Sequence, residues 1–388
     1  MKTALALVCA IVALVQVSIA QVSTFQSSFG YTGGNGLWLD NAGDVRQLLD
    51  SNIIVLSFST GIDAGRGRVI INKFSPTGEQ IFENDYGKDS TFYAIGQAGT
   101  MVRSYDGGFI VAGQGGKNGI DTWAALWKFN IDGDSIFERN YGSLGESDSI
   151  EILYAVAELP DSGLALVGVS GLNQDSFPIS ELNPNLYLIR TDKNGYPLWK
   201  KTYDRSFDDE GLHIAMFDSS HLIIAGYKHA YNSAVDTPWV FVTDLYGNIT
   251  KEKSFPDPPY NCWQLIGPHL FKAIDQNFLF VGCLNGALQN GFYDYPLYTA
   301  KMDTSLNFIW EHDFNSANII GGYSAHQNPD SSIMAVGAQV DSNNGRIWGW
   351  ISKLDNDGNV IWDKLYKHGR SFTNYLFDID QTYDCGLW

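Results

Sequence analysis

Basic residues are scarce in this chain of 388 residues: 25 Lys and Arg stand against 43 Asp and Glu, a formal charge of −18. A field of that sign repels phosphate backbones and excludes nucleic acid as a partner. Long hydrophobic runs are also missing, because beyond the first 20 residues nothing approaches the roughly 18 apolar residues of a membrane span. Membrane insertion is therefore not expected. Cysteine is rare as well. Cys9 sits in the opening apolar run, which leaves Cys262, Cys283 and Cys385, an odd set that makes no disulfide framework. A Cys262–Cys283 bond meets a further obstacle, since a hairpin turning near Gln276 would set Cys283 opposite about Gly267. No Gly-x-Ser-x-Gly elbow and no His-Glu-x-x-His pair occurs.

What is present begins with a leader. The segment "MKTALALVCAIVALVQVSIAQ" has one Lys, an apolar stretch and small residues before Gln21. It reads as a signal peptide over 1–20, cleaved after Ala20, so the expected location is secreted, extracellular or cell-surface. The 44% of hydrophobic residues is ample for a core. Forty Gly with 22 Phe, 20 Tyr and 11 Trp, and few long helical patterns, point to strands and turns.

The organising feature is a repeat. "DGGFIVAG" at Asp106 returns as "DSGLALVG" at Asp161, "DQNFLFVG" at Asp275 and "DSSIMAVG" at Asp330. With Asp50, Asp218 and Asp384 these marker aspartates recur every 54 to 57 residues. Each unit reads as strand, tight turn at the Asp, second strand ending near a Gly, variable loop, third strand, second tight turn, fourth strand. In the third unit these are "LYAVAEL", "LALVGVS", "LYLIRTD" and "YPLWKKTYD", with the alternation and aromatic and β-branched content of sheet. The second turn recurs as "DGDSIF", "DKNGYPLW" and "DNDGNVIW", where Asp caps its own backbone and Gly accepts positive φ. A four-stranded unit of this size cannot bury both faces alone. Radial stacking of such sheets predicts an all-β fold, a β-propeller. Strand-based solenoids have shorter repeats and separate sandwiches longer ones.

Seven markers predict seven four-stranded blades in one domain over 21–388. Six are expected at about 41–87, 92–143, 150–204, 211–256, 262–314 and 320–367. The seventh marker lies four residues from the end, so the last blade is incomplete at the C-terminus, and by analogy with the sixth unit about 23 residues are absent after Trp388. "STFQSSFGYTGG" resembles the fourth-strand endings "SIFERNYGS" and "QIFENDYGK". The expectation is that residues 23–30 close the seventh blade beside 373–388, removing free sheet edges, in a monomer.

Function is expected on the face that carries the variable loops between strands two and three and between units. Phe177, Tyr231, Phe292, Tyr293 and Tyr295 place rings there. With neighbouring Asn and Asp they suit a glycan or protein ligand, or they pack the loops down. The connections between units add acids: Asp89, Glu146, Asp148, Glu151, Asp208, Asp209, Glu210 and Asp257. Such a rim either binds Ca²⁺ through hard oxygens or forms a solvated edge. No spacing meets a defined Ca²⁺ loop, and "DNDGN" at Asp355 is the recurrent hairpin, so no cofactor or metal is expected. His213, His269 and His326 fall on first strands of successive units with one parity. Equivalent faces of adjacent blades are separated by a sheet, so convergence on one metal is not implied, and ordinary packing roles between blades are expected. With Asp208, Asp209 and Glu210 the five aromatics are the candidate ligand-binding set, and no residue is assigned to catalysis. The expected function is a binding module. A polysaccharide-acting propeller enzyme of glycoside hydrolase or lyase type using rim carboxylates, and a structural spacer in a longer surface protein, are the alternatives.

The alternation of "DGGFIVAG" with "LIRTDKNGYPLWKKTYD" resembles the tandem repeats of secreted β-propeller proteins common in Bacteroidota, which often carry a C-terminal type IX secretion sorting domain. The resemblance covers almost all of the mature chain and implies fold and export, not ligand; no sorting domain is visible. Two enzymatic propeller families fit less well. "DKNGYPLW" is similar to the Trp-docking repeat of quinoprotein dehydrogenases, but its Asp-to-Gly interval is one residue shorter and no adjacent Cys pair occurs. Sialidase Asp-box turns place Asp and Gly two apart, whereas here the intervals are three at Asp192 and one at Asp357.

Overall fold

A computed structural model of the chain describes residues 38–381, other than 62–66, 88–90, 96–98, 118–120, 143–149, 173–183, 206–207, 230–235, 256–268, 284–287, 290–291, 294–296, 315–318, 342–343 and 367–374. The first sheet is β1 (Trp38–Gln47), β2 (Ile53–Gly61), β3 (Gly67–Phe74) and β4 (Gln80–Tyr86), antiparallel in chain order. In the second, β5 (Thr91–Ile95) and β6 (Met101–Arg103) share β7 (Phe109–Lys117), followed by β8 (Asp121–Phe129) and β9 (Ser135–Tyr141). The third is β10 (Ile150–Glu158), β11 (Leu164–Leu172), β12 (Asn185–Thr191) and β13 (Pro197–Tyr203). The fourth is β14 (Asp208–Asp218), β15 (His221–His229), β16 (Asp236–Asp244) and β17 (Ile249–Ser254). The fifth is β18 (His269–Lys272), β19 (Phe278–Cys283), β22 (Leu297–Met302) and β23 (Phe308–Phe314), with a small hairpin of β20 (Leu288–Gln289) and β21 (Phe292–Tyr293) inserted. The sixth is β24 (Ile319–Gln327), β25 (Ile333–Asp341), β26 (Arg346–Leu354) and β27 (Val360–Tyr366).

Successive sheets pack face to face, and the first strands β6, β10, β14, β18 and β24 touch one after another around an axis, with β1 against β6. This is a β-propeller. Its core is a set of interblade layers rather than one centre. Leu56, Ile71, Val111 and Trp127 join the first two blades, Leu126, Leu153 and Ile189 the second and third, and Leu188, Ile224 and Phe241 the third and fourth. Val240, Phe278 and Tyr298 join the fourth and fifth, and Leu279, Leu297 and Trp350 the fifth and sixth. Because middle strands are covered on both faces, they are apolar almost throughout; β22 is buried at every residue.

The count is six blades, not the expected seven. Residues 375–380 form no sheet; they run as one extended segment with an isolated bridge at Gln381. Ile379 packs on Met334 and Val336 of the sixth blade, and Leu376 N–H donates to the Gly337 carbonyl at 3.3 Å. These residues supply the length of a single strand, and the proposed partner strand, 23–30, lies outside the described residues.

The repeated octet is explained residue by residue in the second blade. Asp106 Oδ1 accepts the Gly108 N–H at 3.3 Å, and Asp106 Oδ2 pairs with Lys128 Nζ of the third strand at 2.6 Å. Partial burial alone would raise the Asp106 carboxyl, but hydrogen bonds from Lys128, Ser104 and Gly108 hold it below its ordinary value. The same ion pair recurs as Asp50–Lys73, Asp161–Arg190, Asp275–Lys301 and Asp330–Lys353. The marker Asp thus closes its turn and neutralises a cation drawn into the sheet. Phe109, Ile110, Val111 and Ala112 are fully buried. The closing Gly has a separate cause: the first strand carries a bulge in the first, third, fourth and sixth blades, and the bulge carbonyl rests on the glycine. An added Cβ would lie 1.9 Å from the Ile152 oxygen at Gly168, 1.9 Å from Glu210 at Gly226 and 2.0 Å from Gly321 at Gly337.

The second turn locks each blade to the one before it. Asp244 Oδ1 accepts the N–H groups of Tyr246 and Asn248 at 2.9 and 2.8 Å, and Gly247 adopts φ +76 with the Trp199 ring of the previous blade pressed on it. A fourth-strand tyrosine then donates to the hairpin carbonyl: Tyr86 to Gly133, Tyr141 to Gly195 at 2.8 Å and Tyr203 to Gly247 at 2.7 Å. Their counterpart Tyr366 is 51% exposed, so no hairpin among the described residues covers it. Tyr203→Phe is expected to lower stability by about 1 kcal/mol, since it deletes the donor and leaves a buried carbonyl. Urea denaturation reads this directly, and an unchanged midpoint would show that the bond contributes nothing.

Candidate functional site

The tight hairpins occupy one face of the propeller; the connections between second and third strands and between blades occupy the other. On the latter, Phe177, Tyr231 and Tyr295 lie outside the described residues, as do Asp89, Glu146, Asp148, Asp257 and Cys262. Phe292 and Tyr293 form β21 and pair with Gln289 and Leu288. This hairpin is an addition, since among the described residues no other blade has a ladder between its second and third strands.

Asp208, Asp209 and Glu210 begin β14, opposite His229, Lys228 and Tyr227. Asp209 is fully buried. Its carboxylate accepts the Arg205 N–H at 2.5 Å, and its own N–H donates to the Pro184 carbonyl at 2.9 Å. It therefore fastens the connection between blades rather than facing a ligand. Glu210 is half-buried. Glu151 begins β10 on the same face, with its carboxylate against Gly142. The three residues on β14 and the two on β21 belong to adjacent blades.

A second grouping lies on the axis. Asp44, Thr100, Ala155, His269, Ser324 and Asp378 each precede a marker Asp by six residues. His213 precedes Asp218 by five, in the blade whose turn pairs Asp218 directly with His221. Ala155, His213, His269 and Ser324 all pair with the residue before the second-strand glycine, namely Val167, Ala225, Val281 and Val336. The first strands of the third, fourth, fifth and sixth blades thus share one register position, and Asp378 of the segment after the sixth blade reaches the group formed there through Ser324.

Two of the three histidines are not separated by a sheet. The His213 and His269 rings meet edge to face at 4.5 Å, because residues on innermost strands converge where no sheet intervenes. His269 Nδ1 accepts the Ala325 N–H at 3.2 Å and lies 3.4 Å from Ser324 Oγ. Ser324 Oγ donates to Asp378 Oδ1 at 2.5 Å, while Asp378 Oδ2 accepts Val45 N–H at 3.0 Å and Arg46 Nη1 at 2.5 Å. Asp44 Oδ2 accepts the N–H groups of Gly99 and Met101 at 3.1 and 2.9 Å. His326 stands two residues beyond Ser324, 3.9 Å from Asp380. Asp380 in turn accepts Gln47 N–H at 3.2 Å and pairs with Arg103 at 3.1 Å.

The two facing carboxyls have different environments. Burial drives Asp44 well above its ordinary value, with Arg46 opposing and Asp378 adding to the rise. Burial also acts to raise Asp378, but the Arg46 charge and hydrogen bonds from Asp44 and Ser324 bring it down to about 2. The two carboxyls titrate as a pair, in which burial pushes Asp44 up and Arg46 holds Asp378 down. Burial lowers His213 well below the usual imidazole value, with His269 and Arg46 adding to the drop, and it lowers His269 to about 4. The axial groups satisfy one another across blades one, two, five and six. The signal that would have found them is the constant offset from the marker Asp.

Among the described residues no group of three His, Cys, Asp or Glu has the geometry of a metal site. No family model matches the chain, and no curated protein matches it. Solved structures similar in chain path include an α-L-arabinanase of Penicillium chrysogenum complexed with arabinobiose, 11% identical over 81% of this chain and 92% of that one, with a TM-score of 0.49. A GH93 α-L-arabinofuranosidase of Fusarium graminearum is 13% identical over 88% and 84%, with a TM-score of 0.42. A variant of the Synechocystis apocarotenoid oxygenase is 10% identical over 84% and 71%, with a TM-score of 0.48.

Proposed function

We propose that the chain is a secreted or cell-surface binding module that recognises a glycan or a protein through the face opposite the tight hairpins. The observation that carries this reading is the β20–β21 hairpin. It adds an ordered ladder to a connection that a propeller can make without one, and it sets Phe292 and Tyr293 next to each other on a strand. Successive strand residues present their side chains to opposite faces, so the ladder offers one aromatic to each side, and a ring held on a backbone ladder makes contact area at low entropic cost. Export is supported by the leader over 1–20.

The alternative of a polysaccharide-acting enzyme draws on rim carboxylates, and Asp209 weighs against it, because a buried acid accepting a backbone N–H is not available to protonate a leaving group. The axial acids are likewise engaged with one another. Array screening of glycans, with chemical cross-linking on cell surfaces in parallel, tests the binding reading. Phe292→Ala and Tyr293→Ala are expected to weaken the ligand found by tenfold or more, with thermal stability unchanged. Binding that persists in both variants would remove the hairpin from the site, and hydrolysis of an arrayed glycan would replace the module with an enzyme.

A further inference from the structure

The axial cluster holds a group whose protonation state is dictated by its neighbours. Ala325 lies on β24 of the sixth blade, and its N–H donates to His269 Nδ1 of the fifth. Nδ1 must therefore keep its lone pair, which places the ring proton on Nε2. A second proton can only arrive at Nδ1, where it would face the N–H already bound there. Ser324 offers no relief, because its hydroxyl proton is directed to Asp378. We propose that His269 is an acid-sensitive clasp between the fifth and sixth blades, which opens when its ring takes up a second proton and loosens the segment 375–381 that depends on the same cluster.

The groups facing the clasp decide its direction. From β14, His213 presents its ring edge to face at 4.5 Å. It is 8% exposed and its Nδ1 has no hydrogen-bond partner among the described residues, so it cannot take up a stabilised charge beside a second cation. From β1 comes the Arg46 cation, which disfavours further positive charge, and Asp44, whose carboxyl burial holds well above its ordinary value. From the extended segment comes the Asp378 carboxylate, the one favourable partner, already engaged by Arg46, Val45 and Ser324. From β24, His326 adds another potential cation, paired towards Asp380 and Gln381. Burial outweighs the Asp378 attraction, and His269 is held at about 4.

The sign follows from linkage. The unfolded or opened chain has an ordinary histidine near 6.5 and binds a proton that the closed ring refuses, so closure is fully stable above that value. It weakens as pH falls from 6.5 towards 4, by about tenfold in the opening constant per pH unit for one proton. Below 4 the closed state also takes the proton and the loss from this residue levels off.

Hydrogen–deuterium exchange of the full chain, corrected for the intrinsic pH dependence of amide exchange, tests this on the peptide spanning 319–327. Its protection is expected to fall about tenfold per unit between pH 6.5 and 4.5, together with that of 375–381, while β11 and β12 in the third blade keep theirs. His269→Gln retains an acceptor for Ala325 but cannot become charged, and should lose this local response. Exchange at the imidazole C2 position, measured on the unaltered protein, supplies a second reading if that variant does not fold. A His269 midpoint between 6 and 7 with unchanged protection of 319–327 would overturn the clasp, as would an acid response in His269→Gln equal to that of the parent.

Discussion

Gly226→Ala is expected to lower stability by about 3 kcal/mol and the thermal midpoint by roughly 6 °C. The added methyl would stand 1.9 Å from the Glu210 carbonyl oxygen and 3.0 Å from the carbon behind it. Both are backbone atoms of the bulge that turns His213 towards the axis, so no rotamer change can yield the space. Either β14 and β15 separate locally or the bulge flattens, and both outcomes draw the inner strand away from its neighbours. Gly107→Ala is the informative contrast. Gly107 has φ +93, but an added Cβ there meets only Leu49 Cδ1, at 3.4 Å, so the cost is the left-handed conformation alone, about 1 kcal/mol. Thermal and chemical denaturation of the two variants should separate them clearly. Equal losses would mean that the bulge carbonyl is not the reason for the second-strand glycine.

That glycine shows where the sequence is legible and where it is not. The recurring turn at the marker Asp, the apolar second strand and the Asp–Gly hairpin are all local, and each can be recognised from residue chemistry within a few positions. Their regular return is enough to identify a propeller. The reason for the closing Gly is not local, because the atom that forbids a side chain belongs to a strand some 15 residues earlier and depends on a bulge that leaves no residue signature. Blade number fails for a related reason: seven marker aspartates are countable, but a marker is a turn and not a sheet, and the seventh, Asp384, lies outside the described residues. The axial ring was within reach, since Asp44, His269, Ser324 and Asp378 share one offset from their markers. Parity along a strand hid it. Parity assigns side chains to blade faces, whereas an innermost strand has an edge that faces the axis, and there His213 and His269 meet. Of the candidate binding set, Asp209 shows the limit of composition, because an acid on a connection between blades looks the same in sequence whether it meets a ligand or a backbone N–H.

The largest single loss is expected from Arg46→Met. Arg46 is the cation between two buried carboxyls, 2.5 Å from Asp378 and 2.5 Å from Asp44 Oδ1, with side-chain exposures of 14%, 3% and 0% respectively. Methionine fills much of the volume but leaves the Asp378 charge without a counterion, and removal of one partner of a buried pair typically costs about 3–5 kcal/mol. The loss is expected to depend on pH. In the parent, Asp378 is held at about 2 chiefly against burial by Arg46, so it stays charged throughout the ordinary range. In the variant, burial is no longer opposed by that cation, and the carboxyl rises towards or above the ordinary Asp value. The folded variant can then accept a proton that the folded parent refuses, so the difference in stability should be greatest near pH 8 and should narrow as the pH falls towards 5. Loss of Arg46 also removes a charge that disfavours protonation of His269, so the acid response of His269 is weaker in the variant and narrows the difference in the same direction. Asp378→Asn should cost less than Arg46→Met at pH 8, because Asp44 remains beside Arg46 and can ionise to take over as its counterion. Chemical denaturation of the parent and both variants at pH 8 and pH 5 decides the matter. A gap for Arg46→Met that does not change with pH, or an Asp378→Asn loss as large as that of Arg46→Met, would show that closure of the ring rests on apolar packing around Ile379 rather than on this charged cluster.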